Sequence, residues 1–127
     1  MSALVCQLGI HPFNLSKICE RAEKRQEVNC VDLGDRKIFV VPPTQNEDET
    51  RSVIRALLEY ACAEGVSALS FIHFSGFRGA FPKDQLRWIL ETMQDFDATA
   101  GPYRLWFEIA SEHFAELYNL RAEVIAR

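Results

Sequence analysis

Residues Ala68 to Phe74 read Ala-Leu-Ser-Phe-Ile-His-Phe, an almost unbroken apolar run with Gly65 upstream and Gly76 downstream. A short apolar run between turn residues is the pattern of a strand covered on both faces, as in the centre of a parallel sheet. Such a strand needs helices to cover it, and the flanking sequence supplies them. Val53, Ile54, Leu57, Leu58 and Ala61 fall on one face of a helix. Asn46 and Glu49 open that helix as a capping box, and Gly65 closes it. Glu47, Asp48 and Glu49 are favoured at a helix amino end by its dipole. This acidic cluster is therefore read as structural rather than as a metal or partner site. Downstream, Pro82 opens a second helix, whose stripe is Leu86, Ile89, Leu90 and Met93.

The other elements follow in the same way. Ala3 to Leu8 is a short apolar run, strand or core, ended by His11-Pro12. Asn14 caps a helix with a thin stripe of Leu15, Ile18, Cys19 and Ala22. Val28 to Leu33 and Lys37 to Val41 flank Gly34-Asp35, where a glycine in first place suits a tight hairpin. Tyr103 to Ile109 alternates apolar and polar. Ser111 caps a last helix that turns Phe114, Leu117, Leu120 and Val124 inward. The order is β-α-β-β-α-β-α-β-α. It predicts a single compact α/β domain over residues 1–127, with a mixed sheet of about five strands and four helices.

Net charge and residue spacing narrow the function. The formal net charge is -4, and the densest basic stretch, Lys17 to Arg25, is interrupted by Glu20 and Glu23. Nucleic-acid binding rests on a basic face that neutralises phosphates, so it is not expected. No apolar run approaches the roughly 20 residues of a membrane span, and the start of the chain lacks the pattern of a leader. A cytoplasmic protein is expected. Cys6, Cys19, Cys30 and Cys62 show no Cys-x-x-Cys spacing and lie in apolar stretches, which predicts buried, reduced thiols. His11, His73 and His113 lack paired-ligand spacing, so no metal or cofactor is expected.

Three groups of residues could carry chemistry. His73 and Ser75 stand two apart at the end of the apolar strand, where α/β proteins place their sites. A nucleophile with its base would need an orienting acid behind it, and the sequence identifies none. Gly76, Arg78 and Gly79 follow in a strand-to-helix connection that could hold an anion at the helix amino end. Its spacing matches neither common glycine-rich phosphate motif. The third group is aromatic. At about 100° per residue, Trp88 lies about 200° from Leu86, off the core stripe, with Phe77 and Phe81 just upstream. Large apolar groups outside a core mark interfaces. Trp106 similarly falls on the polar side of its strand.

From Lys37 onward the chain resembles the STAS family, the sulfate-transporter and anti-sigma-factor-antagonist domains. The likeness is one of topology over about seventy percent of the chain. Ala68 to Gly76 would be that family's central strand and Asp-Ser-Ser-Gly-like loop, Leu105 to Ile109 its next strand, and Ser111 to Ile125 its last helix. His73-Phe74-Ser75-Gly76 keeps one serine and the glycine, but His73 replaces the acidic residue and Phe74 the other hydroxyl. Residues 1–26 would be a βα extension outside the resemblance.

These readings predict a non-catalytic interaction or regulatory module. It would bind a protein partner, or itself as a homodimer, through Phe77, Phe81 and Trp88. The alternative is a small hydrolase-like enzyme, or an anion- or ligand-binding protein, with its site at His73, Ser75, Gly76, Arg78 and Gly79. A flat apolar patch favours the first, and a concave pocket with polar groups the second.

Overall fold

The computed structural model describes residues 2–7, 27–71, 82–100, 104–107 and 113–126. Its elements are β1 (Ser2–Gln7), β2 (Asn29–Asp32), β3 (Lys37–Val41), α1 (Glu47–Ala63), β4 (Ala68–Phe71), α2 (Lys83–Ala100), β5 (Arg104–Phe107) and α3 (Phe114–Ala126). The helix expected over Leu15 to Ala22 lies outside the described residues, as do the last three residues of the expected Ala68–Phe74 strand.

The five strands form one mixed sheet in the order β2-β3-β1-β4-β5. β1 pairs in parallel with β3 and with β4, and β4 with β5; only β2 runs antiparallel, against β3. The α/β class and the mixed sheet are as the sequence predicts. β4 has a parallel neighbour on each side, as its apolar run predicts, and β1 is the middle strand of the five, so Ser2–Gln7 is integral to the sheet. Val5 and Cys6, adjacent and pointing to opposite faces, are both 0% exposed. A six-residue run offers too little pattern to show that it has a parallel neighbour on each side.

Period-two alternation divides the strand side chains between two clusters. Val5, Phe39, Val41, Leu69 and Phe71 face all three described helices, meeting Ile54, Leu57 and Leu58 of α1, Leu86, Ile89 and Met93 of α2, and Leu120 and Val124 of α3. Cys6, Val31, Ile38 and Val40 form the second cluster. Fully burying a side chain of this size contributes about 1.5–3 kcal/mol, so the helix-facing cluster dominates stability.

Local chemistry sets the ends of the elements. Asn46 Oδ1 accepts from Glu49 N at 2.9 Å, and Glu49 Oε2 accepts in return from Gln45 N at 2.8 Å. This is the expected capping box, with its return bond one residue earlier than usual. At the other end of α1, Gly65 adopts φ +74. Val66 N donates to Ala61 O at 2.9 Å and Gly65 N to Cys62 O at 3.1 Å. These two bonds are the Schellman pair that a left-handed C′ residue allows. In the hairpin, Gly34 has φ +88 and Leu33 N donates to Arg36 O at 2.9 Å, as a two-residue primed turn requires.

Two inward-facing expectations fail for one geometric reason. Phe114 is 58% exposed, and so are Tyr118 and Ile125 beyond half. The buried stripe of α3 is His113, Leu120 and Val124 with Leu117 half-buried, and Phe114 lies about 90° from its centre. Likewise Cys62 is exposed, about 90° off the α1 stripe, and Cys30 is half-buried; only Cys6 is a core thiol among the described cysteines.

Candidate functional site

Four parallel strands point their carboxyl ends at one edge of the sheet, the amino ends of α1 and α2 lie at that edge, and Glu123 near the carboxyl end of α3 meets the start of α2. Outside the carboxyl ends of an open α/β sheet is where such folds bind ligands. The helices are fixed there by ion pairs. Arg51 of α1 bonds Glu47 in its own helix at 2.8 Å and Glu91 of α2 at 2.7 Å, and Arg87 of α2 bonds Glu123 of α3 at 2.8 Å. The Arg87 hydrogen bond, aided by the charge of Lys83, holds the Glu123 carboxyl below its ordinary range.

A cleft of about 430 Å³ opens at this edge, between the β3–α1 connection and the start of α2. One wall is Thr44 and Gln45; the other is Pro82, Lys83, Asp84, Gln85 and Trp88. Both walls have local causes. Pro42-Pro43 ends β3, and the capping box then pins the backbone N–H of Gln45 to Glu49. Thr44 is fixed by a 2.9 Å bond between its hydroxyl and that of Thr50, which is 2% exposed. Opposite, Pro82 supplies the carbonyl that accepts the first helical bond, from Leu86 N at 3.0 Å. The amide side chains of Gln45 and Gln85 have no hydrogen-bond partner among the described residues.

Trp88 lies off the core stripe of α2, as its spacing predicts. It is half-buried and lines the cleft. A helical wheel cannot register that the β3–α1 connection rises beside it. His73, Ser75, Gly76, Arg78 and Gly79, with Phe77 and Phe81, lie outside the described residues, so the structure neither brings them together nor separates them. The side chain of Trp106 lies outside them too. Sequence reasoning missed Thr44, Gln45, Lys83, Asp84 and Gln85. A signal did exist: polar residues flank Pro42-Pro43 and Pro82, where a strand hands over to a helix. Among the described residues there is no group of three metal-ligating side chains, and no helix is long and apolar enough to cross a membrane.

No protein-family model matches this chain, and no curated protein matches its sequence. Solved structures do match in fold. The macro domain of ganglioside induced differentiation associated protein 2 (GDAP2) superposes with a TM-score of 0.67 at 15% identity, over 93% of this chain and 75% of that one. A Trypanosoma brucei macrodomain gives 0.66 at 16% identity, over 96% of this chain and 60% of that one. A Trypanosoma brucei macrodomain in complex with ADP gives 0.66 at 15% identity, over 96% and 62%. The present chain thus spans about three-fifths of the trypanosome chains. At such identity the likeness shows the fold, and the fold is macrodomain-like.

Two expectations fall here. The STAS resemblance is corrected: the structural neighbours are macrodomains, a different fold. A shared alternation of strand and helix after Lys37 misled, because topology depends on which strands pair, and β1 enters the middle. The reading as a non-catalytic protein-interaction module is overturned with it. The neighbours are macrodomains, one of them solved with ADP.

Proposed function

We propose that this chain binds an ADP-bearing ligand along the carboxyl edge of its parallel strands. The observation that carries this reading is the cleft itself. It lies at the edge where such sheets bind ligands, its volume falls in the roughly 300–1,000 Å³ range of small-molecule sites, and it combines one aromatic wall with several polar side chains. The fold likeness to a macrodomain solved with ADP supports the choice of ligand. Gly76, Arg78 and Gly79 belong to the segment joining β4 to α2, both of whose anchored ends are at this edge. In this reading they serve the diphosphate, through backbone amides and a guanidinium. His73 and Ser75, in the same segment of sequence, would be the residues that a reaction on the ligand uses.

The test is calorimetric titration of the full chain with ADP, alongside AMP and inorganic phosphate. Saturable binding of ADP is expected, tighter than AMP, with a rise in melting temperature. At ligand a hundredfold above Kd, the stabilisation should be about 2.7 kcal/mol. No heat and no melting shift with ADP would sink the proposal.

A further inference from the structure

We propose that α3 carries a self-association face, on which a second copy of this chain packs its own α3 in the antiparallel sense. The helix has two stripes. One is the inward stripe of His113, Leu117, Leu120 and Val124. The other is Phe114, Tyr118, Arg121 and Ile125, spaced four, three and four, which is the alternation of a coiled-coil seam. At about 100° per residue these four fall within about 60° of one another, centred about 100° from the inward stripe. Phe114, Tyr118 and Ile125 are each more than half exposed, and Arg121 is exposed as well. A surface helix ordinarily turns polar residues outward. α3 instead keeps Glu116, Asn119 and Glu123 for the side opposite the second stripe. Arg87 of α2 holds Glu123 on that side, so the second stripe points away from α2.

The order of residues along the stripe selects the occupant. A two-fold axis beside the middle of α3 sets the stripe against its own copy in reverse. Phe114 then meets the partner's Ile125, Tyr118 meets the partner's Arg121, and each contact occurs twice. A guanidinium over a phenol ring is an attractive cation–π arrangement. Parallel pairing would set Arg121 against the partner's Arg121, two like charges in one seam. Aromatic side chains offer about 150–250 Å² each, so the three exposed apolar side chains give on the order of 350 Å² per copy. With exposed Ala115, Arg121 and Ala122 beside them, the contact reaches the roughly 1,000 Å² in total that a specific interface needs. That is the low end of the range, so the association depends on concentration. None of these residues lines the cleft, which makes association and ligand binding separate properties.

The experiment is sedimentation equilibrium on the full chain over a concentration series reaching about 1 mM, with a thermal melt of every variant. Wild type should pass from monomer to dimer. Phe114→Lys and Ile125→Glu should each associate about tenfold or more weakly, since a two-fold contact loses its pair twice, and dilute samples should melt as wild type does. Mixed together, the two variants should associate more strongly than either alone. Antiparallel pairing gives that mixture one Lys–Glu pair and one intact Phe–Ile pair, and parallel pairing gives it neither. Should either variant fail to fold, Tyr118→Ala replaces it and should also weaken association. A wild type that stays monomeric to about 1 mM overturns the proposal. If Phe114→Lys then melts lower, the stripe is covered by another part of its own chain; if it does not, the stripe is bare or fits a different protein. A dimer that neither substitution weakens has its interface elsewhere, and a mixture no stronger than its components overturns the antiparallel pairing.

Discussion

The two edges of the sheet are built from similar residues but use them differently. At the amino edge the polar groups answer one another. Lys37, at the start of β3, bonds Glu64 at the end of α1 and lies 4.0 Å from Asp32 across the hairpin. Gly65 and Val66 satisfy the last carbonyls of α1, and Asp32 Oδ1 accepts from Gly34 N at 2.8 Å. At the carboxyl edge, backbone and ion pairs are settled just as firmly by the capping box and by Arg51. Yet the amide side chains of Gln45 and Gln85, which line the cleft, make no hydrogen bond among the described residues. An edge whose polar groups satisfy each other contributes stability and little else. One that fixes the backbone and leaves amide side chains unengaged keeps donors and acceptors that contribute nothing to the fold.

This contrast can be broken by substitution. The largest effect should come from the core beneath both edges. Phe71, 0% exposed at the carboxyl end of β4, should cost about 3–5 kcal/mol as Phe71→Ala, measured by denaturant titration. A loss below 1 kcal/mol would mean that β4 is not the packed strand described. The two ends of α1 then separate the edges. Asn46→Ala removes the cap and should cost about 1 kcal/mol. Gly65→Ala meets no atom within 4 Å but forces a side chain to φ +74, again about 1 kcal/mol. The stabilities should match while the ligand titrations differ. Asn46→Ala, which frees the segment carrying Thr44 and Gln45, should weaken ADP binding, and Gly65→Ala should not. Equal binding in both variants would erase the distinction between the edges.

How much of this was legible in the sequence depends on the range of the interaction. The α1 caps, the hairpin and the stripes of α1 and α2 came through because capping, turn and period-3.6 signals are local, as Asn46, Gly34 and Leu86 show, whereas Phe114 of α3 turned outward. The partners of β1 were illegible, since Ala3 meets Lys37 and Leu69 through pairings 34 and 66 residues away in the chain. The cleft failed for the same reason. Gln45 and Gln85 are forty residues apart, and nothing in either neighbourhood announces the other. Trp88 was placed correctly on its helix, yet its surroundings belong to another segment. The resemblance to STAS domains drew on the order of elements, which sequence does give, and failed on sheet order, which it does not.

The smallest expected effect probes the amino edge by pH. The Glu64 carboxylate, hydrogen-bonded to Lys37, pushes the lysine above its ordinary 10.5, although burial acts the other way. Burial, and then the Glu64 and Asp32 carboxylates, push the Cys30 thiol above its ordinary 9.0. Both groups therefore hold their protons more tightly folded than unfolded. Their contribution is fully present below the unfolded values and is lost as pH rises, from about pH 9 for the thiol and above about pH 10.5 for the lysine. Glu64→Gln removes the carboxylate common to both. Its urea midpoint should lie below that of wild type near neutral pH, and the gap should narrow as the solution becomes alkaline. ADP affinity near neutral pH should be the same in the two proteins, because Glu64 lies at the opposite edge from the cleft. A gap that stays constant across the alkaline range would show that Lys37 and Glu64 do not act as a coupled pair. A change in ADP affinity would show that the two edges are not independent.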